Sequence, residues 1–347
     1  MRSQIRIGVI GCGFYAENHL QSWQHLAPKG AVLAAVCDID ADKAASAGAA
    51  YGVPHFTDAG RMMQAVPLDV VDIVTRHETH RALCELAIAR GLAVIVQKPF
   101  ATTLDDAIAI VAAARKAGTW LAVHENFRFQ APMRHVAAAL ADGEIGAPTW
   151  ARITFRTGFD VYKAQPYFLI EPRLAIADVG IHLLDLARAL LGEVTRISCE
   201  IQTRRSGLAG EDTATMLLRH TSGAVSVVEC TYAAHPDPDP FPETLLQIEG
   251  SSGALQVHPA CRMTITCAGR TRTTDIGAAL LPWTAHPWHV SQEGAFAACA
   301  HFLDALQRGV PAATCGTDNL ATFALVDAAY RAAESHRAEA PARFAEA

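Results

Sequence analysis

Three observations predict an α/β chain, with an N-terminal Rossmann-type doubly wound parallel sheet and a C-terminal α+β domain carrying a large, mostly antiparallel sheet. Over residues 4–123 short apolar runs alternate with helical periods, as parallel strands with crossover helices require. From residue 149 strand-like alternation recurs in consecutive short segments joined by turns such as Ser222-Gly223 and Ser251-Ser252-Gly253, as antiparallel neighbours require. At 347 residues the chain exceeds what one core usually supports, so two domains are expected, 1–123 and 124–347.

The first strand, 4–10, is the apolar run Ile5-Arg6-Ile7-Gly8-Val9-Ile10, and Gly11-Cys12-Gly13-Phe14-Tyr15-Ala16 follows it into a helix over 14–26. Gly11 permits a tight turn, Gly13 lets the backbone approach a pyrophosphate without a Cβ in the way, and Ala16 lets helix pack on strand. The helix N-terminus offers N–H groups and a positive dipole end to phosphates. Asp38 closes the second apolar run, 32–37, where such folds place the acid that binds the adenosine ribose. Together these predict a nicotinamide dinucleotide site, and NAD rather than its phosphorylated form, because no arginine follows Asp38. Further strands are expected at 54–56, 70–74, 93–96 and 120–123, and helices at 40–50, 58–65, 79–90 and 103–117, the last two stopped by Gly91 and Gly118. The second domain reads as a helix at 132–142, strands at 149–158, 194–204, 213–219, 224–233, 244–249, 253–258 and 262–267, and helices at 178–191, 289–308 and 317–335. The loop 234–242, with four prolines and two aspartates, reads as a surface excursion or subunit contact.

Composition narrows the partners. Hydrophobic residues make up 51% and charged residues 18%, a globular balance, and the net charge of −6 without a basic run argues against nucleic acid. The nine cysteines include no C-x-x-C pair and read as reduced, buried thiols. An apolar strand begins almost at once, so no signal peptide fits, and no run reaches the ~20 residues that cross a bilayer. A cytoplasmic protein acting on a small molecule is expected. Pairing of subunits over the broad second sheet, as a homodimer or homotetramer, is expected too.

Two constellations carry candidate chemistry. Gln97-Lys98-Pro99 stands at the carboxyl end of the fifth strand, where ligands bind in such sheets, although taken alone a solvated lysine at a strand end is the plainer reading. Asp178, His182 and Asp185 recur at i, i+4 and i+7 of a helix start and so share a face. Asp178 as an N-cap and His182 as a buried, satisfied histidine is the plainer alternative. Gly180 between them costs helix stability, which suggests a close approach to the backbone.

End to end the chain resembles the glucose-fructose oxidoreductase / inositol dehydrogenase / MocA family. The landmarks are Gly11-x-Gly13-x-x-Ala16, Asp38, Thr75-x-x-x-x-His80, Lys98-Pro99, Asn126-x-Arg128 and Asp178-x-Gly180-x-His182-x-x-Asp185, in the family's order and spacing. The resemblance implies a catalytic triad of Lys98, Asp178 and His182, with the cofactor lying over Phe14, Tyr15, Thr75 and His80 and beside Gln97. Gln97 replaces the common glutamate before the lysine, and Arg76 replaces the common proline after the threonine. The amide can hydrogen-bond but adds no charge beside Lys98. Arg76 is left open between a surface guanidinium and a cofactor contact.

Oxidising an alcohol or lactol needs a base for the hydroxyl proton while hydride leaves the same carbon. His182 suits the base, Lys98 an electrostatic activator, Asp178 a group holding lysine and substrate in register, and Asp185 a support behind His182. Asn126 and Arg128 are candidates for substrate hydroxyls, with a bridging ion pair as the alternative. Arg156, Tyr162 and Tyr167 suit a sugar face, as does the cluster Trp283, His286, Trp288 and His289, though ordinary packing explains each. That cluster lacks metal-ligand spacing, and no metal is expected. Within the family, residues 11–20, 96–100 and 124–129 look most like members that oxidise a branched pentose at its anomeric carbon to a lactone. Other aldoses, inositol or another polyol, a reductase of a non-sugar carbonyl, and a non-catalytic dinucleotide-sensing regulator are the competing readings.

Overall fold

The structure, a computed structural model, describes residues 3–344. The chain divides into two compact units, Met1–Asn126 with Ala295–Leu320, and Phe127–Gly294 with Ala321–Ala347.

The first unit is built on a six-stranded parallel sheet in the order β3-β2-β1-β4-β5-β6. Its strands are β1 (Ile5–Ile10), β2 (Ala31–Cys37), β3 (His55–Phe56), β4 (Val70–Ile73), β5 (Ala93–Gln97) and β6 (Leu121–His124). Between them run α1 (Ala16–His25), α2 (Ala41–Tyr51), α3 (Ala59–Ala65), α4 (His80–Ile88) and α5 (Leu104–Ala117). The strand order reverses between β1 and β4, and ligand crevices open at such switch points. Ile7, Val9, Val36, Val70, Val71, Ile73, Val94 and Ile95 lose essentially all solvent contact, as strands covered on both faces must. Asp40, Asp58 and Thr103 cap α2, α3 and α5 through their side chains, and Gly52 and Gly118 end α2 and α5 in the left-handed region.

The sequence reading gave all of 124–347 to the second domain, but residues 295–320 group with the first unit. The reason is visible at β6, an edge strand. The Val123 N–H donates to the Thr314 carbonyl at 2.9 Å, the Thr314 hydroxyl donates to the Val123 carbonyl at 2.8 Å, and Ala122 bridges to Cys315. Trp120 meets Phe302 edge to face, ring centroids 6.2 Å apart. A late segment thus covers the edge that would otherwise lie open.

The second unit begins with a short turn, Phe127–Phe129, and α6 (Ala131–Ala141). Its strands are β7 (Pro148–Arg156), β8 (Val194–Gln202), β9 (Thr213–His220), β10 (Val225–Thr231), β11 (Leu245–Gly250), β12 (Gly253–His258), β13 (Arg262–Cys267) and β14 (Arg270–Asp275). They form one sheet in the order β14-β13-β12-β11-β7-β10-β9-β8, in which only β7 and β10 run parallel. The register aligns Ile197, Leu218, Ser226, Ala151, Ile248, Leu255 and Ile265 in one row across seven strands, none more than 4% exposed. α7 (Val161–Ala164) is a single turn, and a π-helical turn, Ile176–Gly180, leads into α8 (Ile181–Leu191), which packs on β7 and β10. The helices α9 (His289–Arg308) and α10 (Gly316–Ser335) each contribute residues to both units. Among the described residues no helix is long and apolar enough to cross a membrane.

β14 was not expected from sequence. All six of its residues are exposed, so the apolar alternation that marks a half-buried strand is missing. Its pairing with β13 is reinforced by facing hydroxyls, Thr264 with Thr273 at 3.1 Å and Thr266 with Thr271 at 3.0 Å. The loop 234–242 contains no strand, as its prolines require.

Candidate active site

In the first unit the glycine turn has the shape a dinucleotide needs. Gly11 has φ +99°, and a Cβ there would stand 2.3 Å from the Val74 carbonyl oxygen, so only glycine fits. A Cβ on Gly13 would meet nothing within 4 Å, which leaves open space beside the turn. α1 starts at Ala16, after Tyr15, without a side-chain cap, so no side chain competes for its N-terminus. Phe14, beside the turn, is 60% exposed. Asp38 accepts the Cys12 N–H at 2.7 Å on one oxygen and the Asp40 N–H at 2.9 Å on the other. The carboxylate is thereby held beside the turn with lone pairs left for ribose hydroxyls. Burial, helped by Asp38, pushes the Cys12 thiol up to about 12, so it stays protonated.

His80, over which the resemblance places the cofactor, lies between two loop segments. It is fully buried, with Nε2 3.1 Å from the Thr75 carbonyl and Nδ1 3.1 and 3.2 Å from those of Pro99 and Phe100. Burial lowers its pKa to about 4. The ring ties the segment after β4 to the segment after β5. Thr75 bonds the Thr79 hydroxyl at 2.7 Å. The Arg76 guanidinium lies on Glu78 at 2.7 Å and holds that carboxyl down at about 2.

At the end of β5, Gln97 is 6% exposed. Its Oε1 accepts the Lys98 backbone N–H at 2.6 Å, and its Nε2 lies 3.1 Å from His19 Nε2. His19 Nδ1 lies 2.8 Å from Asp72 Oδ2, which also accepts the Trp23 indole N–H at 2.7 Å. His19, His124 and Cys299 bring nitrogen and sulfur atoms within 4.8 Å of one another. Both ring nitrogens of His19 have hydrogen-bond partners, Gln97 and Asp72.

In the second unit, Asp178 sits in the π-helical turn and accepts the Tyr232 hydroxyl from the end of β10. Burial and the Asp178 charge raise the Tyr232 pKa well above that of a free phenol, so it remains a donor. One turn on, His182 is 4% exposed and stacks face to face on Phe127, with ring centroids 3.9 Å apart and planes 1° from parallel. The stack fixes the imidazole plane. A Cβ on Gly180 would lie 3.3 Å from both the Ala175 carbonyl oxygen and the Cys230 sulfur, so close packing is one reason for a small residue there.

Asp185 was expected behind His182 and is instead committed to Arg128. The Arg128 Nε donates to Asp185 Oδ2 at 2.7 Å, an Nη donates to Oδ1, and the Thr322 hydroxyl donates to Oδ1 at 2.8 Å. Arg128 is therefore held as an ion pair within the second unit, and this pair pins the Phe127 turn to α8. Asn126 is 2% exposed. Arg156, on β7, is half-exposed and 4.0 Å from Glu229, while the Tyr167 hydroxyl donates to Gln165 at 2.6 Å. Tyr162 is buried under the Arg205 guanidinium, 4.5 Å from its ring centre. Trp288 packs edge to face on Phe159 and Phe241, which are themselves stacked at 4.1 Å, so it anchors the proline-rich loop. His286 and His289 pack against each other at 4.0 Å.

Sequence reasoning gave no role to His19, Asp72, Phe127 or Tyr232. Asp72 left a signal, a lone carboxylate in the otherwise apolar Val70-Val71-Asp72-Ile73. Phe127 and Tyr232 left none, since an aromatic inside an apolar run reads as core.

Residues 5–125 match the oxidoreductase family's NAD-binding Rossmann fold domain, and residues 133–256 match the GFO/IDH/MocA C-terminal domain. The chain is 43% identical to a D-apiose dehydrogenase of Paraburkholderia graminis, over 96% of this chain and 91% of that one. It is 41% identical to a D-apiose dehydrogenase of Rhizobium rhizogenes, over 96% and 97%. Among solved structures, an oxidoreductase from Agrobacterium radiobacter in complex with NAD+, L-tartaric acid and magnesium superposes with a TM-score of 0.95 at 41% identity, covering 97% of this chain and 98% of that one. A levoglucosan dehydrogenase shares the fold at a TM-score of 0.85 and 20% identity. With its glycine turn, its Asp38 and both domain matches, the chain is an NAD-dependent oxidoreductase of the Gfo/Idh/MocA family.

Proposed function

We propose that this enzyme is a D-apiose dehydrogenase that oxidises the sugar at its anomeric carbon to a lactone. The observation that carries the substrate is the identity of 43% and 41% to two D-apiose dehydrogenases over 96% of the chain. NAD, when bound at the glycine turn and Asp38, supplies the hydride acceptor. The residues around the sugar handle the proton. His182, with its ring plane fixed by Phe127, takes the anomeric hydroxyl proton as that carbon becomes a carbonyl. The Lys98 ammonium lowers the hydroxyl's proton affinity and stabilises the oxygen as charge develops on it. Asp178, aligned by the Tyr232 hydroxyl, holds substrate and lysine in register.

The oxidant and the three residues are also what an inositol dehydrogenase would use, and an inositol 2-dehydrogenase of Saccharopolyspora erythraea is 30% identical over 76% of this chain. The deciding experiment compares kcat/KM for apiose, xylose, arabinose, glucose and inositol with NAD and identifies the product. Apiose is expected first, with a lactone formed. Preference for inositol, or no turnover of any aldose, overturns the assignment. All nine cysteines are unpaired, which supports a reducing compartment, the cytoplasm.

A further inference from the structure

The hydrogen-bond chain behind Lys98 can be read atom by atom. Gln97 Oε1 must be the end that faces the Lys98 N–H at 2.6 Å, because only the oxygen accepts. The other end, Nε2, can only donate, and it points at His19 Nε2 3.1 Å away. That ring nitrogen must therefore be the unprotonated acceptor. The ring proton then sits on Nδ1 and is donated to Asp72 Oδ2 at 2.8 Å, beside the Trp23 indole N–H on the same oxygen. His19 and Asp72 have no solvent exposure and Gln97 has 6%, so no water competes for these groups. A carboxylate at position 97 would offer no hydrogen to His19. The glutamine that departs from the family's common glutamate is thus matched to this histidine tautomer.

We propose that His19, clamped by Asp72, is a positioning residue for Lys98 that acts through Gln97. Its Nε2 lone pair holds the amide, and the amide oxygen fixes the backbone from which the lysine departs. The reading rests on Lys98 being the electrostatic activator, and on the general point that small misplacements of such a group cost large factors in rate.

Two substitutions at His19 separate this from simple packing. In His19→Asn the amide nitrogen occupies the place of Nδ1, so the bond to Asp72 survives and the acceptor for Gln97 is lost. In His19→Gln the amide oxygen occupies the place of Nε2, so the acceptor survives and the bond to Asp72 is lost. The expected result is kcat at least ~10-fold lower in His19→Asn and within ~3-fold of the parent in His19→Gln, with the NADH Kd unchanged in both. A buried histidine that mattered only for stability would give the opposite order, since retaining its bond to Asp72 would make asparagine the milder change. Equal or reversed kcat values overturn the proposal. A second arm uses Gln97→Glu, which should lower kcat, and the double variant His19→Gln/Gln97→Glu, in which the amide at position 19 can turn its NH2 toward the carboxylate. Recovery in the double variant supports the relay, and no recovery counts against it. Lys98→Met is measured alongside: near-normal turnover there removes the premise, whereas its loss together with the wrong order at His19 removes only this inference.

Discussion

At the scale of single residues the site depends on groups whose protons and planes are fixed by neighbours. Asp38 uses one lone pair of each oxygen on a backbone N–H, which leaves acceptors for ribose hydroxyls and a full negative charge against a 2′-phosphate. NAD is therefore expected to exceed NADP in kcat/KM, and Asp38→Ser to narrow the ratio at least tenfold; equal use of both cofactors by the parent enzyme would contradict this. Lys98→Met and His182→Ala are expected to lose at least ~100-fold in kcat while NADH binding, followed by fluorescence titration, stays intact. Near-normal turnover in either would dissolve the proposed triad. Asp178 and His182 stand out in sequence because they lie one helical turn apart, and Lys98 because it ends a strand, but their grouping as a triad is what the family resemblance implies. The partners that align them, Phe127 and Tyr232, come from segments 55 and 54 residues away and leave no local pattern.

Elements carry the next layer. Helices with periodic apolar faces and capped ends could be drawn from sequence to within a residue or two, as α2, α3 and α5 show, because caps and left-handed glycines are local chemistry. β14 escaped because an exposed edge strand needs no apolar residue. The role of Asp185 escaped because the choice between His182 and Arg128 is made by tertiary packing. Asp185 is fully buried and takes two contacts from the largely buried Arg128 guanidinium, so Asp185→Ala removes that pairing and should cost at least ~1 kcal/mol of stability. It should also depress kcat, because the Phe127 turn loses its tie to α8; denaturation and steady-state kinetics on one preparation test both.

His80 joins two elements, and its pH behaviour follows from its burial. The unfolded histidine takes a proton below about 6.5, whereas the folded one resists until about 4. Its contribution is complete above about pH 6.5 and is lost as pH falls toward 4, by up to roughly 3 kcal/mol. His80→Gln should lower stability at pH 7.5 yet flatten the decline through this window. Denaturation midpoints at several pH values check it, and an unchanged slope would refute it.

At the scale of the whole molecule, the large sheet leaves one face bare. On β9 the buried residues Met216 and Leu218 alternate with the exposed Thr215, Leu217 and Arg219. Leu217 is 51% exposed, and Ser198, which pairs with it on the neighbouring strand, shares that face. A second copy of the chain covering this face is expected, so light scattering should report a dimer or tetramer and Leu217→Glu should shift it toward monomer. A monomeric parent protein would count against that.

The strap of residues 312–315 along β6 also bears on how the protein is made. On the ribosome, β6 is complete once His124 has emerged, but Thr314 and Cys315 appear only after residues 127–294 have been synthesised. At ~5–20 residues per second that interval lasts roughly 10–40 s. During it the nascent dinucleotide domain carries β6 paired to β5 on one side and open on the other, a template for association between neighbouring chains on one messenger. A fragment stopping at residue 126 would keep that defect permanently, so expressing the cofactor domain alone should yield aggregate, and fusing residues 295–320 to it should return it to solution.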